Sequence, residues 1–196
     1  MDSYMVPSIN LSTFTGPLTL SDDWYTYTLR MDQNRLMICV KCSAQDKRIT
    51  KAHAINISVP DGIDYAINFQ RCFDGYNHIT DISELSSFDS SKIICTELMF
   101  SGVWDLTDIS PLSSWDMSNV HNMSGMFWEC MDLEDLTPLS QWKIPNECIL
   151  SGFHSNWGDS DGYINSPPLT WGDINIRQNR LLIPDWLVEK HMNHQH

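Results

Sequence analysis

The 196-residue chain is 42% hydrophobic and carries 25 acidic against 12 basic side chains, a formal charge of -13. That length and apolar content supply a packed core of ordinary domain size and exclude wholesale disorder, while the acidic excess disfavours nucleic acid and anionic membrane as partners and favours a basic protein. No apolar run approaches the ~20 residues that span a bilayer, and MDSYMVPSINLSTF lacks the basic-then-apolar pattern of an export signal, so the expected location is cytoplasmic, or the cell surface if a leader has been removed.

In chain order, the first third reads as β-rich. WYTYTLRMDQNRLMICVKC, Trp24 to Cys42, alternates on both sides of Asp32-Gln33-Asn34, which predicts a hairpin. INISVPDGI alternates through Ile55, Ile57 and Val59 and then meets Pro60-Asp61-Gly62, a strand followed by a turn. Cys39 and Cys42 form CVKC, a spacing that suits half a zinc site or a redox pair. No second CxxC or HxxxH accompanies it, and on an alternating strand the two thiols face opposite sides. With no export signal, the six cysteines read as buried thiols.

From Cys72 to Cys148 the chain aligns with itself at a spacing of 27 residues. Phe73, Phe100 and Phe127 coincide, as do Ile79, Leu106 and Leu133, then Ile82, Ile109 and Leu136, then Leu85, Leu112 and Leu139. Phe88, Trp115 and Trp142 form an aromatic column, Asp81, Asp108 and Asp135 an acidic one, and Gly125 matches Gly152. In LTDISPLSSW the apolar positions Leu106, Ile109, Leu112 and Trp115 lie three apart, which suits a coil with three-residue edges and a short strand. NVHNMSGMF places Val120, Met123, Met126 and Phe127 at a spacing that predicts one or two inward-facing helical turns. Such a unit cannot bury its apolar stripe alone, so stacking is expected to close the core as an α/β solenoid.

The stretch SSWDMSNVHNMSGMFWEC, Ser113 to Cys130, resembles the leucine-rich repeat of the BspA-like type found in bacterial surface proteins and mycoplasma lipoproteins. The resemblance implies a right-handed solenoid used for protein contacts, with no catalytic residues. The organisation expected is a short leucine-rich-repeat array of about three 27-residue units over 72–152. A β-rich N-terminal cap over 1–71 precedes it, and a degraded repeat with a C-terminal cap follows over 153–196. In that last part SNWGDSDGY reads as a surface loop, PPLTW echoes TPLSQW, and INIRQNRLLIPDWLVEKH reads as a strand or hairpin ending in a short amphipathic helix.

Charge sharpens the functional expectation. Residues 1–71 hold seven acids and seven bases, whereas residues 73–142 hold twelve acids and one base, Lys92. Over three layers spaced ~4.8 Å apart, an excess of eleven approaches one charge per ~1.3 Å, the order of the one per ~1.7 Å in B-DNA. The Asp81, Asp108 and Asp135 column has three readings: turn capping, repeated because the unit repeats; a recognition surface; or a cation site, for which no DxDxDG loop is present. Asp105, Asp132, Glu129, Glu134 and Asp116 extend the acidic set, and Trp104, Trp128 and Tyr76 are candidate aromatic contacts. No nucleophile elbow, phosphate loop, paired metal ligands or Cys–His signature occurs, so neither enzymatic activity nor a cofactor is expected. His191, His194 and His196 read as a polar tail with adventitious metal affinity next. The expected function is a protein-binding scaffold with an acidic, aromatic-studded surface. A specific form is an intracellular phage-type inhibitor that mimics nucleic acid in a basic site, as anti-CRISPR or anti-restriction proteins do. The alternatives are a bacterial adhesin-like fragment and, more weakly, a zinc-dependent enzyme.

Overall fold

The computed structural model describes residues 4–5, 14, 16–154, 183–187 and 189. The strands are β1 (Tyr4–Met5), β2 (Leu18–Ser21), β3 (Tyr25–Asp32), β4 (Arg35–Cys42), β5 (Ile57–Ser58), β6 (Tyr65–Asn68) and β7 (Ile93–Cys95). Five of them form a mixed sheet in the order β2-β3-β4-β6-β7, and β1 pairs with β5 in a separate parallel ribbon. The β3–β4 hairpin expected around Asp32-Gln33-Asn34 is present. Gln33 and Asn34 take φ of 47° and 71°, the left-handed pair that a two-residue turn needs to match strand twist. Tyr25, Tyr27 and Leu29 alternate inward against Cys42, Val40 and Ile38, so the predicted period of two is what buries this face.

β4, β6 and β7 run parallel, and single bridges at Asn122 and Ile149 extend the β7 edge. The sheet thus crosses residue 71 without a break, and one buried cluster runs from Tyr25 to Phe153. Within it, Phe73, Phe100 and Phe127 lie in register. Their ring centroids are 5.2 and 5.6 Å apart with interplanar angles of 9° and 3°.

The expected α/β solenoid of leucine-rich repeats is corrected by this architecture. The organising element is an open mixed sheet supplied largely by the N-terminal hairpin. Among the described residues the only α-helical positions are 185–187 and 189. Short 3-10 turns, Ser83–Ser87, Ser90–Lys92, Ser110–Leu112 and Thr137–Leu139, stand where regular repeat elements were expected.

The segment around Val120–Phe127 is not helical, and its hydrogen bonds show why. The amides of residues 96, 98, 100 and 102 donate to carbonyls of residues 122, 124, 126 and 128 at 2.7–2.9 Å. Those of residues 123, 125 and 127 donate onward to residues 149, 151 and 153 at 2.8–2.9 Å. The amides between them turn back three residues, as Met126 does to Met123 (3.1 Å) and Trp128 to Gly125 (3.0 Å). Backbone donors therefore alternate between the next layer and the local turn, which satisfies them without a helix. Left-handed residues recur at the same interval: Arg71, Leu98, Gly125 and Gly152 at 53–61°, and Gly75, Gly102 and Glu129 at 58–77°. A left-handed residue every few positions stops right-handed helical winding. The three-residue apolar spacing reports tight turns with one inward corner each.

Trp115 and Trp142 lock successive layers by donating their indole N–H to the carbonyls of Leu85 (3.1 Å) and Leu112 (2.9 Å). Trp186, in the short helical stretch, does the same to Leu139 at 2.8 Å. SNWGDSDGY, PPLTW, INIRQNRLL and the histidines of the C-terminal tail lie outside the described residues.

Candidate protein-binding surface

The acidic column is built by turn chemistry. Asp81, Asp108 and Asp135 each use Oδ1 to accept the amide two residues ahead, from Ser83, Ser110 and Thr137, all at 2.8 Å. Thr137 adds its hydroxyl to Asp135 at 2.6 Å. Each Asp opens one of the inward-turning corners, so one carboxylate oxygen is committed to the backbone. Asp116 follows the same rule with Ser118 at 3.0 Å, on a different corner of the unit. Its carboxyl is held below the usual range by the Ser118 hydrogen bonds and then by the charge of Lys143, which replaces an acid at the next repeat of the Asp89–Asp116 column.

The acidic excess is not evenly exposed. Three acids of the first layer, Asp74, Asp81 and Glu84, are met by bases from earlier in the chain. Lys51 Nζ lies 3.4 Å from Asp81 and 2.9 Å from Glu84, Arg71 lies 2.9 Å from Asp74, and His53 lies 3.8 Å from Glu84. Hydrogen bonds from Ser83, and then Lys51, hold Asp81 below the usual carboxylate range; Lys51, and then the Ala54 amide, do so for Glu84. Glu97 accepts the side-chain amides of Gln70 (2.9 Å) and Asn122 (3.0 Å). Asp105 meets His78 Nδ1 at 2.8 Å.

Beyond that layer, Asp108, Asp132 and Asp135 enter no ion pair among the described residues. Asp108, Asp132 and Glu134 are exposed and Asp105 and Asp135 half-exposed. These five side chains come from two adjacent segments, 104–108 and 131–135, joined where the Asp132 amide donates to the Trp104 carbonyl at 3.0 Å. Trp104 stands on the same segment with 46% of its surface exposed. The result is a narrow acidic edge with one open aromatic ring.

The other candidates fall elsewhere. Trp128 is half-buried, as is Glu129, whose carboxyl is raised by burial first and the charge of Asp74 second. Tyr76 is not a surface contact: it is 2% exposed, with its hydroxyl donating to the carbonyls of Cys42 (3.0 Å) and Ala44 (3.2 Å) and Lys47 lying 3.4 Å over its ring. Cys42 packs against the core, and Cys39 lies on the other side of β4. Among the described residues no group of three or more His, Cys, Asp or Glu is placed to hold a metal ion. The reach of Lys51, Arg71 and His53 onto the first layer was not foreseen, because summing charge by chain segment is blind to pairing across the fold.

What the fold defines is a stack of sheet-linked turn units with a polarised acidic edge. A family model described as "Mycoplasma protein of unknown function, DUF285" matches residues 63–156. The match spans the stacked block and agrees with the mycoplasma side of the resemblance seen in Ser113–Cys130, without extending to leucine-rich repeats. No curated protein and no solved structure matches the chain. No helix among the described residues is long and apolar enough to cross a membrane.

Proposed function

We propose that this protein is a non-enzymatic binding module that docks a basic protein surface on the edge formed by Asp105, Asp108, Asp132, Glu134 and Asp135 beside Trp104. The observation that carries the reading is the contrast between layers. Asp74, Asp81 and Glu84 of the first layer are met by Arg71, Lys51 and His53, whereas Asp108, Asp132 and Asp135, exposed or half-exposed, enter no ion pair among the described residues. Like charges on neighbouring layers, at a strand spacing of about 5 Å, repel by about 1 kcal/mol even in water, and a cationic partner relieves that repulsion. An exposed Trp beside them adds apolar area and a cation–π face for Lys or Arg.

Affinity capture from the source cells tests this. A basic protein is expected to be retained at about 50 mM salt and released near 0.5 M, where the Debye length falls to a few ångströms. A variant with Asp108, Asp132 and Asp135 changed to Asn is expected to lose it. Retention by that variant, or indifference to salt, would remove the reading. The more specific form, an intracellular inhibitor occupying a nucleic-acid groove, predicts further that the captured protein is displaced by competing DNA or RNA.

A further inference from the structure

The six cysteines are free thiols in this structure, and their placement singles out one pair. Cys39 and Cys95 share a row across the sheet but flank Asn68. Two strand spacings, ~9.6 Å, exceed the ~7 Å reach of a disulfide. Cys130 is turned inward, its Sγ donating to the Phe100 carbonyl at 3.2 Å. Cys42 and Cys72 differ: the Cys42 amide donates to the Cys72 carbonyl at 2.9 Å. Backbones joined by such a bond hold their α-carbons about 5–6 Å apart, inside the range a disulfide requires. Both side chains turn to the same interior, beside Tyr25, which is paired with Cys42 across the hairpin.

We propose that Cys42 and Cys72 are a dithiol–disulfide pair that a low-molecular-weight disulfide closes into a covalent link between β4 and the first stacked layer. Exposure sets the order of events. Cys72 is 1% exposed and Cys42 is half-exposed, so the Cys42 thiolate attacks the external disulfide and expels one small thiolate, which takes up a proton. The Cys72 thiol then gives its proton to solvent and attacks the Cys42 sulfur. The second small thiolate leaves and is protonated in turn. The protein loses two thiol hydrogens and the small disulfide is reduced to two thiols. Burial pushes the Cys72 thiol above its ordinary value, so the second step is slow at neutral pH and accelerates as pH rises. The link closes the loop from Ser43 to Arg71, and closing a loop of that size raises the thermal midpoint by about 5–10 °C.

The test treats the full native chain with oxidised glutathione, blocks remaining thiols by alkylation and maps the peptides by mass spectrometry. The expected product is a Cys42–Cys72 cross-link with the other four cysteines alkylated. Cys72→Ser is expected to stop at a glutathione adduct on Cys42, and Cys42→Ser to leave Cys72 unmodified under native conditions. A wild-type chain that keeps a stable adduct on Cys42, cross-links a different pair, or leaves both thiols unmodified overturns the proposal. Because the wild-type map decides the outcome, the result stands even if a serine variant folds poorly.

Discussion

The indole N–H of Trp186 donates to the Leu139 carbonyl at 2.8 Å, repeating the bond that Trp142 makes to Leu112 and Trp115 to Leu85. Trp186 also stacks on Trp142 at 6.4 Å and meets Phe153 edge-on at 5.9 Å. It therefore fills the slot of a further layer from a helical turn that is not part of the repeat. A stack that ends without such a plug exposes its last apolar face.

Removing that plug gives the first prediction. Trp186→Phe keeps the ring but loses the hydrogen bond and is expected to cost about 1 kcal/mol. Trp186→Ala loses both and is expected to cost about 2–4 kcal/mol. Denaturant unfolding of the two variants measures the difference. Equal costs would mean that the ring contributes nothing beyond the indole bond, and a Phe variant as stable as the parent would mean that the bond itself contributes nothing.

A second prediction concerns Gly125, at φ 59°. A Cβ there would lie 2.5 Å from Leu98 Cδ2, so Gly125→Ala combines left-handed strain with a clash and is expected to cost about 2–3 kcal/mol. Gly75, at φ 77°, has nothing within 4 Å of its added Cβ, so Gly75→Ala carries the strain alone, about 1 kcal/mol. Adding Leu98→Ala to Gly125→Ala should relieve the clash, a non-additivity that a double-mutant cycle reads directly.

These glycines mark how far the sequence could be read. The apolar columns, the Asx corners and the hairpin are visible because each depends on residue type at a fixed interval. The left-handed columns are half visible. Gly125 and Gly152 advertise theirs, but Arg71, Leu98 and Glu129 adopt the same conformation with no compositional sign. Val120, Met123, Met126 and Phe127 misled because a three-residue edge and a helical face share the same first intervals. The distinguishing fact, that alternate amides donate to another layer, is a long-range one. Trp104 stands out as an exposed ring, whereas Tyr76, in the same part of its unit, is covered by Lys47 and anchored to Cys42 and Ala44, neither of which the repeat could predict.

Acid sensitivity follows from two sites of opposite chemistry. His154 is 7% exposed, its Nε2 lies 3.2 Å from the Leu133 carbonyl, and burial lowers its pKa below 6.5. The unfolded chain then binds a proton that the folded chain refuses, so stability is full above pH ~6.5 and falls as pH drops from there toward the depressed folded value. Asp81 and Glu84 are also depressed, by Ser83 and by Lys51 respectively as first causes. Their contribution is present above pH ~4.5 and is lost below it, as pH falls through their folded values. Unfolding free energy measured against pH should therefore decline in two stages. His154→Leu should flatten the upper stage and Lys51→Met should reduce the lower.

The acidic edge allows turn chemistry and recognition to be separated at the same residues. In Asp108 and Asp135 one oxygen accepts a backbone amide at 2.8 Å while the charge faces out. Asn retains an acceptor oxygen at that position and removes the charge, so Asp108→Asn and Asp135→Asn are expected to change stability by no more than about 0.5 kcal/mol. Ala removes both, and each Asp→Ala change is expected to cost about 1 kcal/mol through the lost corner bond. Binding should order the variants differently, because a basic partner senses charge and not the turn. Asn and Ala should weaken it alike, chiefly by slowing association, with a shallower dependence on salt than the parent chain. Stability from denaturation and association rates across a salt series, measured on the same four proteins, give the two orderings. If Asn variants bind as the parent does while Ala variants do not, the column serves the fold alone and the docking edge must be sought elsewhere on the stack.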